Sequence, residues 1–301
     1  MSLLVTGSIG IDTVRTPHGV SEDCLGGSAI YFSVSASYFT PVRFVGVIGN
    51  DCPFDLNKVL AGRDIDLAGL ETREASKTFR WAGTYLETMD DRVTDNLELN
   101  VLAEHPPVVP QAYADSKFVF LANTMPKLQM ELLDQVTAPA FVAADTMNCY
   151  ITDYIDDLKD LLERIHCLII NAEEAKLLAQ EFSLIKAAEK IIAMGPPCVI
   201  IKKGESGALM CLDDGNMFVL PAYPTSVVKD PTGAGDSFAG GFMGYLAQVE
   251  RADFAALKTA LAYGTVVASY AIADFSLNGI SAVTRMEIDE RLEAFRQFTS
   301  F

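Results

Sequence analysis

Residues 229–242 read KDPTGAGDSFAGGF, four glycines in fourteen positions with an acid set where they give way to an apolar run. Pro231 biases Asp230 away from helix, so the chain enters this stretch extended or turning. Beyond Asp236, the apolar residues Phe238, Phe242, Tyr245 and Leu246 recur at helical spacing. Gly233 and Gly235 therefore sit where a helix begins, and there unpaired N–H groups and the positive dipole end converge. Glycine lets a ligand approach that backbone, which makes an anion site without Lys or Arg; a plain structural turn has the same local pattern. Asp236 falls in the first helical turn. Either it stabilises the helix by about 0.3–1 kcal/mol, or it takes a proton from a hydroxyl attacking a bound phosphate. Gly240 and Gly241 inside the helix each cost roughly 0.5–1 kcal/mol relative to Ala, so close packing is expected at them. The stretch is neither G-x-G-x-x-G, since Phe238 takes the third glycine position, nor a P-loop.

Working outward, 301 residues of which half are hydrophobic suffice for one large α/β domain, with room for a small insertion. The formal charge of −17, from 40 acidic against 23 basic residues, disfavours nucleic acid and anionic membrane as partners. It also means that a phosphate must be held by backbone amides, a metal ion or a few placed cations. Six cysteines (24, 52, 149, 167, 198 and 211) include no CxxC pair, which argues against structural zinc and fits reduced cytoplasmic thiols. MSLLVTGSIG lacks the basic start and long apolar centre of a secretory signal, and no apolar run has the length of a membrane span. The expected compartment is the cytoplasm.

Short apolar runs alternate with helical patterns. LLVTGSIG, VRFVGVIG, FVFLAN, FVAAD, CLIIN and CVIIKKG read as strands, with helices such as SAIYFSVSASYF, LQMELLDQV, ITDYIDDLKDLLERI and EEAKLLAQEF between them. Near-continuous apolar strands alternating with helices predict an α/β fold with a doubly wound, mostly parallel sheet covered on both faces. From Asp230 onward the chain is mostly helical. Residues 78–102 break the pattern by alternating polar and apolar around Asp90-Asp91, which predicts a β-hairpin with one wet face. A lid over a site and an edge hairpin fit that periodicity alike. Arg80 and Trp81 on it either touch substrate or pack the edge.

DPTGAGDSF (230–238) resembles the C-terminal signature of the ribokinase-like (PfkB) sugar kinases, and the resemblance extends over almost the whole chain. GSIGID (7–12) is similar to the family's first strand, which ends in a substrate-binding Asp. Gly26 and Gly27 match the hinge between lid and core, and VGVIGND (45–51) the strand that follows. NAEE (171–174) fits N-x-x-E, and KGESGA (203–208) a strand turn on the nucleotide side. The resemblance implies one kinase domain over 1–301, with a β-sheet lid formed by about 11–22 and 76–104. It implies ATP- and Mg2+-dependent phosphorylation of a sugar or polyol hydroxyl, with Asp236 as base and the amides of Gly233, Ala234, Gly235 and Asp236 as phosphoryl cradle. Asp12, Gly26, Gly27 and Tyr31 would bind substrate. Asn171, Lys203, Gly204, Gly207, Thr232 and Gly264 would line the nucleotide. Glu174 and Asn171 would organise Mg2+ through water, and Asp230 resembles part of a monovalent-cation (K+) loop. The resemblance allows a homodimer through the lid, since both lid-paired dimers and monomers are known in the family.

The chain departs from the ribose-specific pattern at Tyr31, where ribokinases place a sugar-binding Asn. Asp145-Thr146-Met147-Asn148 lacks the Arg that commonly follows, and Gly264 stands where some relatives present an Asn to the base. A nucleoside kinase of the same fold is the alternative, since an aromatic can stack on a base; an inositol-type cyclitol kinase is another. As helix starts, Asn171 and Glu174 read equally as an N-cap and a first-turn acid. The non-enzyme alternative is a sugar- or nucleotide-sensing module.

Overall fold

The computed structural model describes residues 3–89 and 92–300, so the hairpin turn expected at Asp90-Asp91 lies outside the described residues. Thirteen strands run β1 (Leu3–Thr6), β2 (Gly10–Thr16), β3 (Gly19–Gly26), β4 (Val42–Gly49), β5 (Ile65–Arg73), β6 (Phe79–Tyr85), β7 (Arg92–Glu98), β8 (Phe118–Leu121), β9 (Phe141–Ala144), β10 (Cys167–Asn171), β11 (Cys198–Lys202), β12 (Ala208–Leu212) and β13 (Met217–Leu220). Nine form a large sheet in the order β13-β12-β11-β10-β9-β8-β1-β4-β5, and β3-β2-β6-β7 form a small one. The large sheet is parallel from β11 to β5, with β12 and β13 antiparallel at one edge.

The strand residues are buried on both sides because their alternation feeds two cores. Leu3, Val5, Phe44, Phe118, Phe120, Ile169 and Ile200 face one core, with helices Ser28–Ala36, Ala234–Val249, Phe254–Ala271 and Arg285–Thr299. Leu4, Val45, Val119, Leu121, Ile170 and Ile201 face the other, with helices Pro126–Leu133, Ile155–Leu162, Ala172–Ala179 and Leu184–Ile192. Two expected elements differ. LLVTGSIG is not one strand, because the chain turns at Gly7-Ser8-Ile9 and passes from the large sheet into the small one. ITDYIDDLKDLLERI is two helices, Asn148–Asp153 and Ile155–Leu162, parted where Tyr154 leaves helical geometry (φ −134, ψ 37).

Glycine sets how closely the helices pack. A Cβ at Gly240 would lie 2.4 Å from Phe32 O, and one at Gly241 3.1 Å from Gly264 Cα, so helix Ala234–Val249 is wedged between two neighbours. That wedge aims its N-terminus at the carboxyl ends of the strands. Beyond β1 the chain builds β4 and β5 on one side and then returns to β8 on the other, so the winding reverses between β1 and β8. In such a sheet the crevice outside those strand ends is where ligands bind.

Candidate active site

Gly233 caps helix Ala234–Val249 in the left-handed region (φ 74), and a Cβ there would lie 2.4–2.5 Å from ring carbons of Tyr31. The turn therefore rests directly on a buried phenol. The Ala234 N–H is drawn back to Pro231 O (3.1 Å) and that of Ser237 to Gly233 O (2.8 Å). Those of Gly233, Gly235 and Asp236 have no backbone partner among the described residues and are the donors that can meet an anion. Of the four amides expected from sequence, only that of Ala234 is engaged within the turn.

A cation stands beside it. A Cβ at Gly235 would lie 2.7 Å from Lys202 Nζ. Alternation along β11 explains this: Cys198 and Ile200 face the core that holds helix Ala234–Val249, and Lys202, two residues on, shares their side. Lys203, expected among the residues lining the nucleotide, lies beyond the strand, where its N–H closes a turn to Gly207 O (2.7 Å). The signal for choosing Lys202 was present as strand parity.

Three acids surround Lys202. Burial raises the half-buried Asp236 carboxyl above the usual carboxylate range, while the charges of Lys202 and Arg92 hold it back. Burial also raises Asp145 well above that range, aided by Asp236 and opposed by Lys202. Glu174 is raised by burial and again opposed by Lys202. Asp145 follows the end of β9, and its Oδ1 is buried without a partner among the described residues. Lys202 thus keeps a crowded carboxylate cluster tolerable, and it was absent from the expected site.

Asp12 lies on β2, at the wall of the crevice. It is 4% exposed, and its Oδ1 has no partner among the described residues. Burial, then the charges of Asp230 and Asp236, push its carboxyl up to about 7, against a hydrogen bond from the Gly27 amide. Gly26 makes room for it, since a Cβ at 26 would lie 1.8 Å from Asp12 Oδ2. Gly27 (φ 99) caps helix Ser28–Ala36, and Ser8 and Ser28 exchange backbone-to-hydroxyl hydrogen bonds at 3.0 and 2.9 Å that pin the hinge. A buried carboxylate oxygen without a donor suits a ligand hydroxyl. Trp81 pairs with Asp12 across β2 and β6, on the same face, and its indole spreads over Gly83 (2.3–2.5 Å from a Cβ there). At the end of β6 the Tyr85 hydroxyl meets Thr232 Oγ1 at 3.3 Å, which joins the small sheet to the anion turn.

The remaining expected residues divide. Asn171 and Glu174 form a reciprocal capping box, with Asn171 Oδ1 accepting from Glu174 N and Glu174 Oε2 from Asn171 N, both at 2.8 Å. Asp230 accepts from the N–H groups of Thr232 (2.9 Å) and Ser276 (3.3 Å). Gly204 and Gly207 (φ 53 and 84) build the turn after β11, and a Cβ at Gly207 would strike Leu220 O at 2.1 Å. Two expected contacts are corrected. Tyr31 is 1% exposed with a ring face covered by Gly233, so it is the floor of the turn and has no face for a base. Gly264 is sealed in the helix crossing, a Cβ there lying 2.7 Å from Phe238 O, so close packing against Phe238 accounts for its glycine.

Comparison with known proteins places the family and the fold. The family model described as pfkB family carbohydrate kinase matches residues 17–282. A cytidine kinase of Thermococcus kodakarensis is 30% identical over 252 residues, 81% of this chain and 87% of that protein. In fold the chain is similar to a Burkholderia thailandensis nucleoside kinase solved with inosine (TM-score 0.78, 19% identity, 97% of this chain and 98% of that one). It is also similar to a ribokinase of Cryptococcus neoformans var. grubii solved with ADP (TM-score 0.78, 20% identity, 96% and 99%).

Proposed function

The chain belongs to the pfkB family of carbohydrate kinases, and within that family we propose that it phosphorylates a ribose hydroxyl of a nucleoside with ATP. As a member it is a phosphotransferase with a hydroxyl acceptor; the nucleoside is the step taken here. The observation that carries it is Trp81 placed beside Asp12 on the inner face of the small sheet. A sugar hydroxyl donating to the open Asp12 Oδ1 leaves the substituent on that sugar against the indole, and stacking a base there is worth about 1–3 kcal/mol. A free pentose gains nothing from that surface. The likeness to a cytidine kinase supports the same reading.

Each residue then has a chemical task. The small sheet acts as a lid over the crevice, with Asp12 and Trp81 orienting the acceptor so that one hydroxyl faces Asp236. Asp236 takes the hydroxyl proton as the oxygen forms its bond to the γ-phosphorus, and the bond from that phosphorus to the bridging oxygen breaks to release ADP. Charge developing on the phosphoryl oxygens meets the Gly235 and Asp236 amides and the Lys202 ammonium. Protein surroundings lift Asp236 toward the working pH, which makes it a better base than an exposed carboxylate. The donors near the turn are hard oxygens: Glu174, Asn171 and the unpartnered Asp145 Oδ1. They suit Mg2+ held largely through water, and no group of three or more His, Cys, Asp or Glu poised for a metal occurs among the described residues. When bound, Mg2+ neutralises the β- and γ-phosphates.

ADP release measured with ATP, Mg2+ and a panel of cytidine, other nucleosides, ribose, hexoses and inositol tests this. Nucleosides are expected to turn over fastest. Turnover of ribose or hexoses with nucleosides silent would refute the nucleoside reading, and thermal stabilisation by ligand without any turnover would refute catalysis.

A further inference from the structure

We propose that Arg92, carried on the lid, is a catalytic residue that contacts the transferring phosphoryl group from the side opposite Lys202. The proposal rests on the kinase reading above and adds a residue that reading does not need. Its basis is strand geometry. In the β6-β7 ladder Arg92 pairs with Tyr85, so the two side chains share one face of the small sheet. The Tyr85 hydroxyl reaches Thr232 Oγ1 at 3.3 Å, and Thr232 precedes the Gly233 turn. The face that carries Arg92 is therefore the one applied to the anion turn. Its guanidinium lies 5.9 Å from the centroid of the Trp81 ring.

The other lid arginines pair with acids on the lid or its border, whereas the Arg92 side chain is hydrogen-bonded to Tyr85, beside the anion turn. Arg15 pairs with Asp95 at 3.4 Å, and Arg80 with Asp23 at 3.3 Å and Asp51 at 3.6 Å. Arg92 is exposed, and its charge reaches Asp236 and Glu174 across the crevice. The charge balance of the site calls for such a group. Asp12, Asp145, Glu174, Asp230 and Asp236 crowd the crevice, Lys202 is the cation on the sheet beside the turn, and a triphosphate brings further negative charge. Lys202 is a point charge on a fixed strand. Arg92 offers a planar fork that can bind two phosphoryl oxygens at once, and it arrives only with the lid.

The experiment compares wild type with Arg92→Ala, Arg92→Gln and Arg92→Lys, measuring kcat, KM for the acceptor, and affinities for ADP and a non-hydrolysable ATP analogue with acceptor present. A γ-phosphoryl contact predicts a kcat loss of about 100-fold in Arg92→Ala and Arg92→Gln, with partial recovery in Arg92→Lys. It also predicts that affinity for the analogue falls about tenfold while that for ADP holds, the equivalent of one lost charged contact. Unchanged kcat, equal losses for ADP and analogue, or a rise confined to the acceptor KM would each overturn it. Wild-type enzyme that releases ADP with no acceptor at all would instead remove the kinase reading, and the proposal with it. An active wild type with an equally active Arg92→Ala removes Arg92 alone.

Discussion

Replacing Gly233 by Ala probes the foundation of the anion turn, and its cost can be worked from two separate terms. The residue holds φ 74, and a left-handed backbone costs an L residue about 1–2 kcal/mol. The new Cβ would also lie 2.4–2.5 Å from Tyr31 ring carbons. That ring is 1% exposed in a packed core, so it has no room to retreat, and overpacking of this kind costs about 1–3 kcal/mol. Together the expected loss is about 2–5 kcal/mol. With an unfolding entropy near 2.1 cal/mol/K per residue, a chain of 301 residues loses about 3–8 °C in Tm. Calorimetry of Gly233→Ala, Tyr31→Leu and the double variant separates the terms. Trimming the ring should recover the overpacking share of the Gly233→Ala loss and leave the backbone share. A Gly233→Ala protein that melts with wild type would refute the claim that the turn rests on Tyr31 in a conformation reserved for glycine. Equal losses in the presence and absence of Tyr31 would refute the steric half alone.

Gly235→Ala should behave differently, because the group its Cβ meets is the flexible end of Lys202; Tm should hold in a melting scan while kcat falls as the ammonium is displaced. Asp236→Asn should lower kcat by about 10²–10⁴ and leave nucleotide affinity intact, and a variant with wild-type turnover would remove Asp236 as base. The Asp12 carboxyl, raised from 3.8 to about 7, holds its proton more tightly folded than unfolded. Its contribution to the stability of the free protein is therefore present below its ordinary value and lost as pH rises to about 7. Acceptor binding runs the other way, since the ionised form is the better acceptor for hydroxyls. KM for the acceptor should rise as pH falls below about 7, approaching tenfold per unit, and a flat KM from pH 5.5 to about 8 would dismiss Asp12 as the hydroxyl grip.

How much of this could be read beforehand varies with what each residue meets. The central strands announced themselves because FVFL, FVAA and CLII are buried on both faces, so nearly every side chain is apolar. Strands β5 and β13 did not, since they edge the sheet and IDLAGLETR and MFVL keep many exposed positions. The glycine-rich turn was legible to the residue because its backbone tolerates so few alternatives. The cations were not. Lys202 and Lys203 are neighbours of identical chemistry, and only the phase of β11 says which one faces helix Ala234–Val249. Arg92 is legible only through its pairing with Tyr85, a long-range register. Tyr31 and Gly264 misled because a departure from a family pattern names a position without saying whether it is surface or core.

The 1.8 Å between Asp12 Oδ2 and the place of a Cβ on Gly26 ties two positions into one heritable unit. While the carboxylate stays, any side chain at 26 is excluded; once position 12 shortens, position 26 is released to drift, and the way back is then barred. Laboratory evolution toward acceptors without a suitable hydroxyl should therefore move both sites in order, first 12 and then 26, and reversion of 12 alone should fail.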